Sequence, residues 1–407
     1  MNKAGIYFRV LCALSLSVLL TACVSQTVKT TSVPTINSAD TQVSEHLLLD
    51  VGISVFDPGL EDYDEDQQTY PEVRKAEARF MPMLLSEAMQ ESGAWGAVRV
   101  IPNNEQISDL LVEGKIIKSD GEELRLDIKA TDSRNYVWLE KQYTSNASRY
   151  AYQASKRNKQ DPFQAMYNTI ANDILEKLQE LEERDRQNVR LVTELLFAQS
   201  FSADAFDGYL AANRQDRYLI MRLPAEDDPM LERVRVIRER DNVFIDTMQE
   251  YHSEFNLEML GPYQEWRQLS YEEAVALKEL RAESNRRLIA GGIAILAGIA
   301  GATSSDGYNR AASDIAIIGG GYLLKSGLEK RSEAQIHVQA LEELGMSMEA
   351  EITPSVIELD DRTIMLSGNV EDQYAQWREL MADIYQAEIG ALELPPTSSE
   401  AIDPLDD

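Results

Sequence analysis

From Ser270 to Ala302 the chain contains no proline and no cluster of turn-forming residues. An unbroken helix over those 33 residues would be about 50 Å long, at 1.5 Å per residue, and would project well beyond a compact domain. Its last 15 residues, Leu288 to Ala302, carry no charge. A polar turn with Ser304, Ser305, Asp306, Gly307 and Asn309 follows, then a second apolar stretch, Ile315 to Leu324. Arg286, Arg287, Lys325, Lys330 and Arg331 bracket the pair. The pattern predicts a Gly-rich apolar helical hairpin over residues 288–331. Each glycine lowers helix stability by about 1 kcal/mol relative to alanine, so the arms require a packing partner.

Small residues recur at four-residue spacing: Ala290, Ala294, Gly298 and Ala302 on one arm, Ala312, Ala316 and Gly320 on the other. Such rows let two helix backbones approach closely. They resemble the glycine-zipper segments of bacterial envelope proteins. That resemblance implies a hairpin that enters a bilayer or packs with copies of itself. A tightly packed hairpin inside a water-soluble core is the alternative. Fifteen helical residues span about 22 Å, short of the roughly 30 Å of a bilayer's hydrocarbon.

The N-terminus has Lys3 and Arg9, then an apolar run of 11 residues from Val10 to Leu20, then Thr21-Ala22-Cys23. The run is too short to span a membrane and has the form of a signal peptide. Leu20-Thr21-Ala22-Cys23 resembles the lipobox of bacterial lipoproteins. The resemblance implies cleavage before Cys23 and fatty acylation of that residue. Two or more acyl chains hold a protein firmly to a bilayer, whereas one holds it marginally. Val24, in place of Asp, implies sorting to the outer membrane, on its periplasmic face or at the cell surface. The only other cysteine, Cys12, leaves with the signal, so the mature chain has no intrachain disulfide.

The sequence holds 39 basic and 69 acidic side chains, a net charge of −30; removing Lys3 and Arg9 leaves 37 against 69, or −32. This argues against nucleic acid and against docking through a basic patch. The expected partners are the membrane, through the N-terminal lipid, and either further copies of the chain or another envelope protein.

The expected organisation is a signal peptide (1–22), a lipidated Cys with a flexible tether (23–45), an α+β domain (46–184), a charged helical region (185–287), the hairpin (288–331), a small α+β module (332–391) and an acidic disordered tail (392–407). The tether, rich in Ser, Thr and Val, has an expected reach of about 25 Å. In the α+β domain, alternation at Leu49, Val51, Ile53 and Val55 predicts a strand. Val73, Ala76, Phe80, Leu84, Leu85 and Met89 predict a helix, kinked or restarted at Pro82. Four strands follow, over 97–101, 110–117, 124–130 and 136–143, with Asp120-Gly121 as a hairpin turn. Asp161-Pro162 starts a helix. The order β-α-β-β-β-β-α predicts a mainly antiparallel sheet with helices on one face. Beyond it, Asp228-Pro229 starts a helix that Gly261-Pro262 is expected to break, and Ser270 with Glu273 reads as a capping box for the next. The fold class is therefore α+β throughout, with a long helical middle.

The order of elements, with the helix followed by Val98-Arg99-Val100-Ile101-Pro102, resembles the small α/β domain of periplasmic assembly lipoproteins. Val356-Ile357-Glu358-Leu359 and Thr363 to Val370, with Leu366-Ser367-Gly368-Asn369-Val370, look like the strand pair of the BON domain. That resemblance implies a non-catalytic module that binds lipid or a neighbouring protein.

His46, His252 and His337 lie far apart, and no metal-binding, nucleophile-elbow or phosphate-loop spacing is present. The sequence therefore points to no catalytic residue, no metal and no cofactor. The leading expectation is a structural or assembly role in the envelope, homo-oligomeric through the hairpin. An adaptor that holds a partner in an envelope complex comes second, and an enzyme third.

Overall fold

The computed structural model describes residues 25–29, 33–38, 44–61, 70–102, 106–152, 161–225, 227–300, 338–339, 342–343, 346, 355–359 and 362–390. Strands β1 (Ser25–Lys29) and β2 (Val51–Ser54) precede helix α1 (Pro71–Glu91). Next come β3 (Val98–Ile101), β4 (Leu110–Ser119), β5 (Glu123–Asp132) and β6 (Val137–Asn146). Helices α2 (Gln164–Glu180) and α3 (Glu183–Phe201) follow, then a short hairpin of β7 (Leu210–Ala212) and β8 (Tyr218–Ile220). Helix α4 (Pro229–Ala300) runs for 72 residues. A second hairpin, β9 (Ser355–Leu359) and β10 (Arg362–Leu366), leads to α5 (Val370–Gly390).

The fold is mixed α+β. One sheet has the strand order β1-β6-β5-β4-β2-β3. On β5 the alternating residues Leu124, Leu126, Ile128 and Ala130 are almost fully buried, as the period-2 pattern predicts. Phe80 and Leu85 of α1, with Ile170 and Ile174 of α2, join them in the core. The opposite face carries charged and polar residues such as Glu113, Lys129, Asp127 and Gln142, with Gln142 Nε2 donating to Asp127 Oδ1 at 2.8 Å.

The sheet differs from the mainly antiparallel expectation. β4-β5 and β5-β6 are antiparallel, but β2 pairs parallel with both β3 and β4, and β1 pairs parallel with β6. The helix between β2 and β3 carries the chain back to the starting end, which makes those two strands parallel.

The segment expected to be a flexible tether is held in two places. Ser25 to Lys29 extends the sheet beside Gln142 to Asn146. Residues 33–38 lie on α2: Asn168 Nδ2 donates to the Pro34 carbonyl (2.8 Å), Asn172 Nδ2 to the Thr35 carbonyl (3.0 Å), and the Asn37 N–H to Asn172 Oδ1 (2.8 Å).

Pro82 lies inside α1, which does not restart there. Two further expectations are corrected in the helices. Gly261-Pro262 does not end the helix that starts at Pro229. Pro262 removes one backbone hydrogen bond, a defect of about 3 kcal/mol in an isolated helix. The residues after it are deeply seated: Tyr263 is fully buried, lies edge-on to Phe80 with ring centroids 5.0 Å apart, and stacks on Trp266. Tertiary packing thus outweighs the local break. Ser270, inside the continuous helix, caps nothing; its Oγ accepts the Gly121 N–H at 3.2 Å.

Helix α5 docks on the first part of α4. Trp377 stacks on Phe244 with centroids 4.7 Å apart, and its indole N–H donates to Asp241 Oδ1 at 3.1 Å. Burial raises the pKa of Asp241, against the opposing pull of Arg378 and the Trp377 hydrogen bond.

Candidate functional site

The functional candidate is α4 and the seat that holds it. At the seat, Arg267 is fully buried, and so is Glu77 of α1. Arg267 Nη1 donates to both carboxylate oxygens of Asp161, at 3.0 and 3.1 Å. Its Nη2 lies 4.0 Å from Glu77 Oε1. The guanidinium also lies 4.2 Å from the ring centre of Tyr263 and 4.6 Å from that of Phe163. Burial works against its charge, but Tyr263, Asp161 and Glu77 prevail and raise its pKa well above the ordinary value. Arg267 is therefore a permanent cation that ties α4 to α1 and to the start of α2.

Glu77 is the hub on the other side. Its Oε1 accepts hydrogen bonds from Ser119 Oγ and Tyr263 OH, both at 2.5 Å. Its Oε2 lies 3.5 Å from Arg74 Nε. Asp161 plays a double part, since it also accepts the Phe163 N–H at 2.8 Å and so shapes the turn before α2; it is not the expected cap, because α2 begins three residues later at Gln164 and its N-cap, Phe163, makes no side-chain cap bond. The carboxylates here pair with arginines and accept hydrogen bonds from hydroxyls, and the arrangement is one that fixes a helix.

The β4–β5 turn meets α4 just beyond the seat. A side chain at Gly121 would run into backbone atoms of Arg267 and Tyr271, both 2.1 Å from its Cβ. The glycine predicted as a turn residue is thus also a contact point. At the turn, Lys278 Nζ pairs with Glu122 Oε1 at 2.6 Å. From Lys278 the helix continues for 22 residues, about 33 Å, to Ala300.

Further back, α4 covers the edge of the sheet. Gln249 exchanges two hydrogen bonds with the Val100 backbone of the outermost strand, β3. Arg99 grips Asp246 through two bonds, at 2.6 and 3.0 Å.

The chain matches no protein-family model and no curated protein.

Of the residues singled out from the sequence, Ala290, Ala294 and Gly298 lie on the last turns of α4. Cys23, Ala302, Ala312, Ala316 and Gly320 lie outside the described residues. Sequence reasoning did not find Glu77 and Arg267. They stand 190 positions apart, and their only signal is a charged residue on the apolar stripe of each helix.

A cavity of about 530 Å³ adjoins the seat, walled by the strap at residues 33–36 and by Glu87, Glu91, Asp161, Gln164 and Gln264. Among the described residues, no group of three or more His, Asp or Glu side chains is placed to hold a metal ion, and no helix is long and apolar enough to cross a membrane.

Proposed function

We propose that the protein is a lipid-anchored envelope protein with a structural or assembly role, held to the periplasmic face of the outer membrane through Cys23 and self-associating through its Gly-rich segment. The observation that carries this reading is α4. Its seat is a buried ion-pair node, and its far end enters the uncharged stretch that begins at Leu288. A helix fixed at its root and rich in small residues at its tip can present those residues to identical helices. Two ends of the body are also distinguished. Ser25 lies beside Gln142, and as β1 is parallel to β6, Ser25 is its residue nearest the end where β6 begins. Helix α4 leaves past the β4–β5 turn, at the other end.

Light scattering on the mature chain with Cys23→Ser tests the assembly role. The expected result is an oligomer that dissociates on Gly298→Leu with Gly320→Leu. A monomeric parent, or an oligomer unchanged by the pair, contradicts it. Incorporation of labelled palmitate tests the anchor separately. The adaptor reading is supported by the polar cavity beside the seat, whose rim carboxylates Glu87 and Glu91 face outward. A partner captured by the monomeric protein, and lost on Glu87→Gln with Glu91→Gln, would favour it.

A further inference from the structure

The β7–β8 hairpin exposes an apolar strip. Leu219 of β8, and Met221 and Leu223 just after it, are 45%, 63% and 67% exposed. A single exposed leucine needs no explanation, but three in a row do. Around them stand aromatic rings with arginines laid over them. The Arg222 guanidinium is 4.0 Å from the Tyr209 ring centre, and that of Arg217 is 4.1 Å from Tyr136. Exposed aliphatic tips, tyrosines and arginines with long apolar stems make up the mixture that suits a membrane–water interface.

The hairpin's position agrees with its composition. The Tyr218 N–H donates to the Arg134 carbonyl at 3.0 Å, and Asn135 Nδ2 donates to the Asp216 carbonyl at 2.9 Å. These bonds fix the hairpin to the turn from which β6 starts. Strand β1 runs parallel to β6, so its first residue, Ser25, is the one nearest that same end. Cys23 is two residues from Ser25, a reach of about 7 Å at most.

We propose that this hairpin rests on the bilayer that holds the N-terminus, with Leu219, Met221 and Leu223 entering its interfacial layer. The proposal rests on the acylation of Cys23 put forward above. A bilayer suits the strip better than a protein partner. A specific protein interface covers about 800 Å² on each side, whereas an interfacial contact requires only the shallow entry of a few apolar side chains. The long helix then points away from the anchoring membrane.

A spin label reads the contact directly. Met221→Cys is placed in the full acylated chain and reconstituted in phosphatidylethanolamine–phosphatidylglycerol vesicles, with Leu257→Cys as the control. Leu257 is 76% exposed and lies on α4. The expected result is a label at position 221 about fivefold less accessible to a water-soluble paramagnetic chelate than the label at 257, and more accessible to oxygen. Equal accessibility at the two sites would overturn the proposal and leave the strip to a protein partner. The same pair in a Cys23→Ser chain, tethered to vesicles through an N-terminal histidine tag, gives this reading without acylation. A failure of the anchor and a failure of the hairpin contact are thereby told apart.

Discussion

Gln249 completes the hydrogen bonding of Val100. The Val100 N–H donates to Gln249 Oε1 at 2.9 Å, and Gln249 Nε2 donates back to the Val100 carbonyl at 2.6 Å. One side-chain amide thus takes the place of a further strand at the edge of the sheet. An open edge would offer those groups to another chain. Gln249→Leu leaves both without a partner, and the expected loss of stability is about 1–3 kcal/mol. Urea unfolding measures the loss, and hydrogen exchange at Val100 should accelerate relative to Ile128.

The Arg267 node should respond asymmetrically. Arg267→Met leaves Asp161 in the interior without its cation, and the expected destabilisation is about 3–5 kcal/mol. Adding Asp161→Asn removes the stranded charge and should recover part of that loss. A double variant no better than the single one would show that packing around Tyr263, and not charge, holds the helix.

Two glycines next to α4 should behave in opposite ways. Gly121→Ala forces apart the turn and the helix backbone and should lower the unfolding midpoint, because no rotamer relieves a clash with backbone atoms. Gly261 sits inside α4 with open space where a side chain would go. Gly261→Ala should therefore stabilise by about 0.5–1 kcal/mol, through helix propensity and a less flexible unfolded chain. Differential scanning calorimetry of both variants checks the signs.

His252 supplies a pH dependence. It is 1% exposed, and neither ring nitrogen has a hydrogen-bond partner. Burial, aided by the charge of Arg79, lowers its pKa to about 4. The unfolded chain binds this proton near pH 6.5 and the folded chain only near pH 4, so stability falls as pH drops through that window. The fall is about 3 kcal/mol when complete. Buried Asp109 and Asp241 have raised pKa values and act in the opposite sense. The difference between the parent and His252→Leu isolates the histidine. Its slope between pH 6.5 and 4 should carry the stated sign, and a flat difference would refute the assignment.

The sheet was readable because its signals are local. Alternation at Leu124, Leu126 and Ile128 locates β5, and Asp120-Gly121 locates the turn before it. The parallel pairing of β2 was not readable, because direction depends on where α1 returns the chain. Gly261-Pro262 misled for the opposite reason: the local rule is sound, but Tyr263, Trp266 and Arg267 are buried together and keep the helix whole. Ser270 misled as a capping residue because its hydroxyl serves a turn some 150 positions away. The strap at residues 33–38 has the composition of a linker, and only the amides of Asn168 and Asn172 make it part of the fold. The seat stayed hidden because Glu77, Asp161 and Arg267 meet only when three helices pack.

The proposed assembly role depends on one unbroken helix that starts in the body and runs into the uncharged stretch from Leu288. Pulsed dipolar spectroscopy between nitroxides at Leu257→Cys and Ala290→Cys, in a Cys23→Ser chain diluted with unlabelled protein, measures it directly. The 33 intervening steps predict a single narrow distance near 50 Å. A broad distribution centred well below about 35 Å would show a hinge after the seat and contradict the account.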